Sequence, residues 1–152
     1  MARGKTIAVI GAADASVEVA DLAFAVGREI AAQGATLVCG GLSGVMEAAA
    51  RGARAAGGHT IGILPNYEPA DANPSIEFVI ATGMGQARNV IVVASAAAVI
   101  ACAGEGGTLS EIGFALKLGR PVVALRAWSG IAGIEHSDDP VEAVRRALKL
   151  AA

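Results

Sequence analysis

The stretch Ala97-Ala98-Val99-Ile100-Ala101-Cys102-Ala103-Gly104-Glu105-Gly106-Gly107-Thr108-Leu109-Ser110-Glu111 decides how the rest of the chain reads. Its first six residues are an unbroken apolar run, the mark of a strand buried on both faces. Residues 112–118 read as a helix, so the glycines lie in a turn from strand to helix. Such a turn aims free backbone N–H groups and the positive end of a helix dipole at one spot, and glycine lets a phosphate come close to the backbone. Thr108 adds a hydroxyl and Glu111 a carboxylate. Thr108-Leu109-Ser110-Glu111 also has the form of a capping box, which would account for both side chains without any ligand, although not for the glycines before them.

Working outward, the same alternation recurs. Thr6–Ile10, Thr36–Cys39, Thr60–Leu64, Ile76–Ile80 and Pro121–Leu125 read as further strands. Helices follow over about 16–33, from Ser43 as N-cap to Ala56, through Ala96, and from Asp139-Pro140 to Leu150. This predicts an α/β, doubly wound parallel sheet in a three-layer αβα sandwich, with strand order 3-2-1-4-5-6 and one domain over residues 1–152. The polar loop 65–75, with Pro65, Pro69 and Pro74, reads as either a lid or a crossover, with the crossover favoured. Ligands of such sheets bind beyond the carboxyl ends of the strands, where the order reverses. Three glycine-bearing turns reach that edge: Gly40-Gly41-Leu42-Ser43-Gly44-Val45-Met46, Thr82-Gly83-Met84 leading to Arg88, and Gly104 to Thr108. The first turn has Gly11 alone where a dinucleotide fingerprint needs three glycines, which argues against NAD or FAD. Arg88 stands at a helix N-terminus, where a cation is disfavoured by roughly 0.3–1 kcal/mol unless an anion binds beside it.

Composition narrows the functional classes. The 152 residues are 54% hydrophobic but only 3% aromatic, so the core is built from Ala, Val, Ile and Leu. So apolar a chain is expected to bury surface in a homodimer or homotetramer. A net charge of −2 without a basic stripe argues against nucleic acid. No signal peptide or membrane span is legible, which predicts a cytoplasmic protein without a membrane partner. Cys39 and Cys102 read as core residues, two scattered histidines offer no metal site, and the sole Trp128 is expected to pack against the last helix.

From Ile7 to Leu125 the chain resembles the SLOG superfamily of Rossmann-like proteins. That superfamily includes the LOG (Lonely Guy) phosphoribohydrolases, often misannotated as lysine decarboxylases. Gly40-Gly41-Leu42-Ser43-Gly44-Val45-Met46 matches the LOG motif G-G-x-x-G-x-M, and residues 103–111 match P-G-G-x-G-T-x-x-E with Ala103 in place of Pro and Glu105 in place of Gly. The resemblance implies a nucleotide- or phosphate-binding domain, with Arg88 and Glu111 at the positions of the LOG catalytic pair, and hydrolysis of a nucleoside 5′-monophosphate to free base and ribose 5-phosphate. The segment Thr82-Gly83 to Arg88-Asn89 lacks the Lys-following pattern of LOG and is more similar to the branch related to the algal molybdenum-cofactor carrier. That likeness implies a non-catalytic carrier or sensor of a nucleotide or molybdopterin-type ligand. In either case the resemblance implies a small phosphorylated ligand, held by Gly11, Gly40, Gly41, Ser43, Gly44, Met46, Thr82, Gly83, Met84, Gly104, Gly106, Gly107 and Thr108, with no required cofactor.

Overall fold

The computed structural model describes residues 4–104 and 106–152. Residues 1–3 and Glu105, at the start of the expected leader-free N-terminus and within the third glycine turn, lie outside the described residues. Strands β1 (Thr6–Ile10), β2 (Thr36–Cys39), β3 (Thr60–Leu64), β4 (Phe78–Ala81), β5 (Ala98–Cys102), β6 (Val122–Leu125) and β7 (Glu135–Ser137) form one sheet in the order β4-β3-β2-β1-β5-β6-β7. Every pairing is parallel. Helices α1 (Val17–Ala32), α2 (Val45–Ala55) and α5 (Pro140–Leu150) pack on one face, and α3 (Arg88–Ala94) and α4 (Gly106–Lys117) on the other. The α/β, three-layer, doubly wound architecture is therefore as the sequence reads.

The strand order departs from 3-2-1-4-5-6 in two respects, the added edge strand β7 beside β6 and the place of the fourth strand. The fourth strand does not cross to the far side of β1. It pairs with β3, with Ile61 opposite Phe78 and Leu64 opposite Ala81, and forms the sheet edge. The cause is the connection from β3 to β4. It contains only the 3₁₀ turn Pro69–Asp71 and no helix, so it drops the next strand at the nearest parallel position, about the minimum reach of a parallel crossover. The reversal of order thus falls between β1 and β5, not between the first and fourth strands. The loop is a crossover, and it also acts as a brace. Asn73 donates from its side-chain amide to the carbonyl of Leu42 at 2.7 Å, and its backbone N–H donates to the carbonyl of Gly41 at 2.9 Å.

Local details follow from side-chain chemistry. Ser16 caps α1, accepting from the Val19 N–H at 3.2 Å, and Asp139 caps α5, accepting from the Glu142 N–H at 2.8 Å with Pro140 in the first turn. Ser43 is not the cap of α2. Gly44, at φ 65°, holds that position, and the Ser43 hydroxyl donates to the Ala13 carbonyl at 2.7 Å, tying the second glycine turn to the first. The loop after β6 hides β7, whose Glu135, His136 and Ser137 lack any β-rich signature. Trp128 packs on the α3/α4 face with Ile131 and Ile134 rather than on the last helix. Cys39 and Cys102 are buried and unpaired, and burial pushes both thiols up to about 12.

The face carrying α1 and α2 is packed at backbone distance. A Cβ added at Gly27 would fall on the Ala49 carbonyl of α2, and one at Gly52 on the Phe24 carbonyl of α1. Two helices this close have no room for even one methyl group. Gly27→Ala and Gly52→Ala are each expected to lower stability by at least about 1–3 kcal/mol, read from urea unfolding midpoints, because the helices must separate. Little or no shift in the midpoint would show that the helices are not this close.

Candidate functional site

The reversal between β1 and β5 opens a cleft of about 290 Å³ beyond the carboxyl ends of the strands. The volume sits at the lower end of the range for small-molecule sites. Five segments line it: the turn after β1 (Gly11 to Asp14), the turn after β2 (Gly40, Leu42), the start of α2 (Met46), the start of α3 with the turn before it (Gln86, Arg88, Asn89), and α4 (Gly107, Thr108, Glu111).

Helix α4 begins at Gly106, two residues before Thr108. Thr108 and Glu111 are therefore inside the helix rather than at its cap, and the capping-box reading fails. Being three apart, they share one face, which is turned toward the cleft; both are buried. The backbone N–H groups of Gly106, Gly107 and Thr108 belong to the first turn, which has no intrahelical acceptors.

Arg88 opens α3 but does not curl away to water. It is 6% exposed. Its Nε donates to the carbonyl of Ile63 at 2.9 Å, one Nη donates to Asn89 Oδ1, and the other makes a long contact of 3.5 Å with the carbonyl of Gly40. The guanidinium thus fastens the carboxyl ends of β2 and β3 and presents its charge to the cleft wall. Burial lowers its pKa from the usual guanidinium range, and the Glu111 carboxylate partly offsets this; it stays charged.

Glu111 is 8% exposed, and among the described residues no hydrogen bond or ion pair within 4 Å ends on its carboxyl group. Burial pushes its pKa up to about 8, against the lowering influence of Arg88. At neutral pH it is mostly a neutral acid, in reach of a charge that would ionise it. Asn89 links the two helices. Its amide donates to Ser110 Oγ at 3.2 Å, and Ser110 donates to the carbonyl of Gly107 at 2.7 Å, so the start of α4 is held in register with Arg88.

Of the residues singled out in the sequence, Gly11, Gly40, Met46, Arg88, Gly107, Thr108 and Glu111 meet in this cleft. The others do not line it. Gly41 is braced by Asn73, and Gly44 lies against Ala12 and Ala13. Thr82 donates to the Leu64 carbonyl at 2.7 Å, Gly83 lies under the Tyr67 ring, and Met84 is exposed. Gly104 makes room for the Thr108 side chain, and Gly106 opens α4 without touching the cleft. Asp14, Gln86 and Asn89 line it but were not singled out. Asn89 carried a signal, being a polar residue beside Arg88 at the start of an otherwise apolar helix. Among the described residues no group of three or more His, Cys, Asp or Glu side chains is placed to hold a metal ion, and no helix is long and apolar enough to cross a membrane.

Fold and cleft together define a Rossmann-like α/β protein with its crevice at the switch point of a parallel sheet. The chain belongs to the SLOG cluster4 family, whose model matches residues 4–149. It is 45% identical over 138 residues to an uncharacterised protein of Archaeoglobus fulgidus, spanning 91% of each chain. It is 31% identical over 140 residues to the cytokinin riboside 5′-monophosphate phosphoribohydrolase of Mycobacterium tuberculosis, covering 85% of this chain and 74% of that one. Its structure superposes on that of the molybdenum cofactor binding protein from the phototrophic bacterium Rippkaea orientalis with a TM-score of 0.93 at 34% identity, over 99% of each chain.

The raised pKa of Glu111 makes stability depend on pH. Between an unfolded value near 4.5 and a folded value of about 8, the folded protein keeps a proton that the unfolded chain releases. Stability on this group's account therefore falls as pH rises through that window. Glu111→Gln removes the effect. The variant is expected to match the wild type at pH 4 and to exceed it by on the order of a few kcal/mol at pH 8, read from Tm across the range. A pH-independent difference would mean that Glu111 ionises as an ordinary carboxylate.

Proposed function

We propose that the cleft binds a small phosphorylated, nucleotide-like ligand, with its phosphate at the start of α4, and that the protein hydrolyses the N-glycosidic bond of a nucleoside 5′-monophosphate. The observation that carries this reading is the buried carboxyl of Glu111, without a hydrogen-bond or ion-pair partner among the described residues, near the buried guanidinium of Arg88, on a cleft that also receives the first turn of α4. The phosphorylated ligand accepts hydrogen bonds from the Gly107 and Thr108 backbone and the Thr108 hydroxyl, and Arg88 balances its charge. In the reaction the bond between C1′ and the base nitrogen breaks, the base leaves with the bonding electron pair and takes up a proton, and a water oxygen bonds to C1′. Glu111, as carboxylate, stabilises the positive charge that develops on the sugar and accepts a proton from the water. The M. tuberculosis relative bears the name of such an activity.

The second reading is a carrier or sensor of a nucleotide or molybdopterin-type ligand without chemistry. The end-to-end match to the R. orientalis molybdenum cofactor binding protein favours it. So does the state of Glu111, which at neutral pH is a hydrogen-bond donor rather than an anion. A cleft that receives the first turn of α4 and holds a buried cation suits a singly phosphorylated ring compound in either reading.

The phosphate site is tested by thermal stability against a nucleoside monophosphate. At 100 times Kd the wild type is expected to gain about 2.7 kcal/mol. Gly107→Asp has open space for its side chain, so it should fold normally and lose that gain through repulsion at the anion site. An equal gain in both proteins rules out the assigned phosphate position.

Catalysis is tested by release of free base from a panel of nucleoside 5′-monophosphates. Hydrolysis through Glu111 predicts that kcat/KM rises with pH and levels off near pH 8, as the buried acid ionises. It also predicts that Glu111→Gln lowers kcat by about a hundredfold or more with binding nearly kept. If no member of the panel is cleaved while a phosphorylated pterin or nucleotide still stabilises the protein, the carrier reading replaces the enzymatic one.

A further inference from the structure

The side chain of Asn89 joins two walls of the cleft. It is 2% exposed, more enclosed than Arg88, Thr108 or Glu111. It follows Arg88 in a helix whose remaining residues, Val90-Ile91-Val92-Val93-Ala94, are apolar. Asparagine is a weak helix former, and a buried amide is costly unless its donors and acceptor are met. Here they are met. Oδ1 accepts from an Nη of Arg88, and Nδ2 donates to Gln86 Oε1 and to Ser110 Oγ, each at 3.2 Å. The partners fix which way the amide faces, since a flipped amide would turn its N–H groups toward a guanidinium that has only donors.

The connection continues into α4. Ser110 Oγ, which accepts from Asn89, donates to the carbonyl of Gly107 at 2.7 Å. A helical serine commonly bonds back to a carbonyl of the preceding turn. Here the same hydroxyl is also an acceptor, which makes it a junction between two helices. The Gly107 carbonyl shares its peptide unit with the Thr108 N–H. That unit is planar, and its carbonyl and N–H point in opposite directions. Ser110 therefore sets the direction of the Thr108 N–H, one of the free donors in the first turn of α4. From Arg88 through Asn89 and Ser110 to Gly107 every hydrogen bond donates the same way, so each strengthens the next. At the other end, Arg88 is held by the carbonyls of Ile63 and Gly40. A guanidinium has N–H groups beyond those these partners take, and Arg88 lines the cleft.

We propose that Asn89 and Ser110 are positioning residues, which bring the Arg88 guanidinium and the Thr108 N–H to bear on one and the same phosphate. The inference rests on the reading of the cleft as a phosphate site and adds how its cation and its helix turn are kept in step. Arg88 and Thr108 belong to different helices, α3 and α4. Without a tie between them, their spacing would follow any sliding of one helix past the other. Ser110 does not need to touch the ligand, being exposed and not among the residues that line the cleft. Asparagine suits the tie because it offers an acceptor to the cation and donors to the hydroxyl without a charge of its own. An aspartate in its place would pair with Arg88, cancel the charge presented to the cleft and offer Ser110 no donor.

Isothermal titration calorimetry of the full chain with inorganic phosphate and with adenosine 5′-monophosphate tests it. Asn89→Ala is expected to weaken binding of both about tenfold, the effect of losing one hydrogen bond to a charged group. Asn89→Asp should weaken it by about a hundredfold, because its carboxylate also neutralises Arg88. Ser110 decides the matter even where an Asn89 variant fails to fold, since its side chain is exposed and alanine favours a helix. Ser110→Ala should keep the far-UV circular dichroism of the wild type yet bind both probes about fivefold more weakly. Ser110→Thr, which keeps the hydroxyl, should restore most of that affinity. A purely structural serine predicts no change in affinity in either variant. If the wild type binds the probes and Ser110→Ala and Asn89→Asp bind them equally well, or if Ser110→Thr binds as weakly as Ser110→Ala, this inference is overturned while the phosphate site stands. If the wild type binds neither probe, the phosphate reading fails and this inference with it.

Discussion

The reversal of strand order at β1 is the constraint on which the rest of the molecule depends. From β1 the chain winds through β2 and β3 to β4, then returns to lay β5, β6 and β7 on the other side. Parallel crossovers keep one hand, so the first half places its helices on one face and the return places α3 and α4 on the other. At the switch the loops after β1 and β5 leave in opposite directions, and no helix closes the gap between them. The cleft is thus a consequence of topology before it is a matter of side chains. Residues 11–14 and Gly107, Thr108 and Glu111 border it because they follow the two strands that part there.

Arg88 makes that gap specific. Its guanidinium replaces the water its donors would otherwise bind with the carbonyls of Ile63 and Gly40, groups at the ends of strands whose own ladders have run out. A cation satisfied by neutral carbonyls keeps its full charge uncompensated. This is why Glu111, buried nearby, feels Arg88 and yet stays protonated to about pH 8: desolvation outweighs an attraction that never becomes a contact ion pair. A charged ligand entering the cleft would therefore act on both groups.

Much of this was legible in the sequence, for physical reasons that can be stated residue by residue. Buried parallel strands announce themselves as continuous apolar runs, so β1, β2, β3, β5 and β6 were plain. β7 was not, because an edge strand of Glu135, His136 and Ser137 needs no apolar signature. The place of β4 was misjudged because sequence gives the strand but not the length of crossover its loop can span. In the site, Gly40, Gly107, Thr108, Arg88 and Glu111 were legible from strand-to-helix turns and from a resemblance, while Asp14 and Gln86 sit in turns with no pattern. Thr82, Gly83 and Met84 read as ligand contacts but do not line the cleft: Thr82 donates to the Leu64 carbonyl, Gly83 lies against Tyr67, and Met84 is exposed. The capping-box form of Thr108 and Glu111 misled because two glycines allow the helix to start before them.

The two faces of the sheet divide the work of folding from that of binding. On the α1/α2/α5 side, glycines let backbones touch, caps are made by Ser16 and Asp139, and the buried positions of the three helices are apolar or glycine. On the other side α4 departs from the same rules: two glycines open it, an acid without a partner among the described residues is buried in its middle, and a further glycine, Gly113, stands exposed in mid-helix. Each departure weakens the helix on its own. Such departures are expected where a surface has another use. In the proposed reading the opening glycines free N–H groups for an anion and the buried acid answers a charge in the cleft. The second face can hold a helix built this way because the first supplies the stability it lacks.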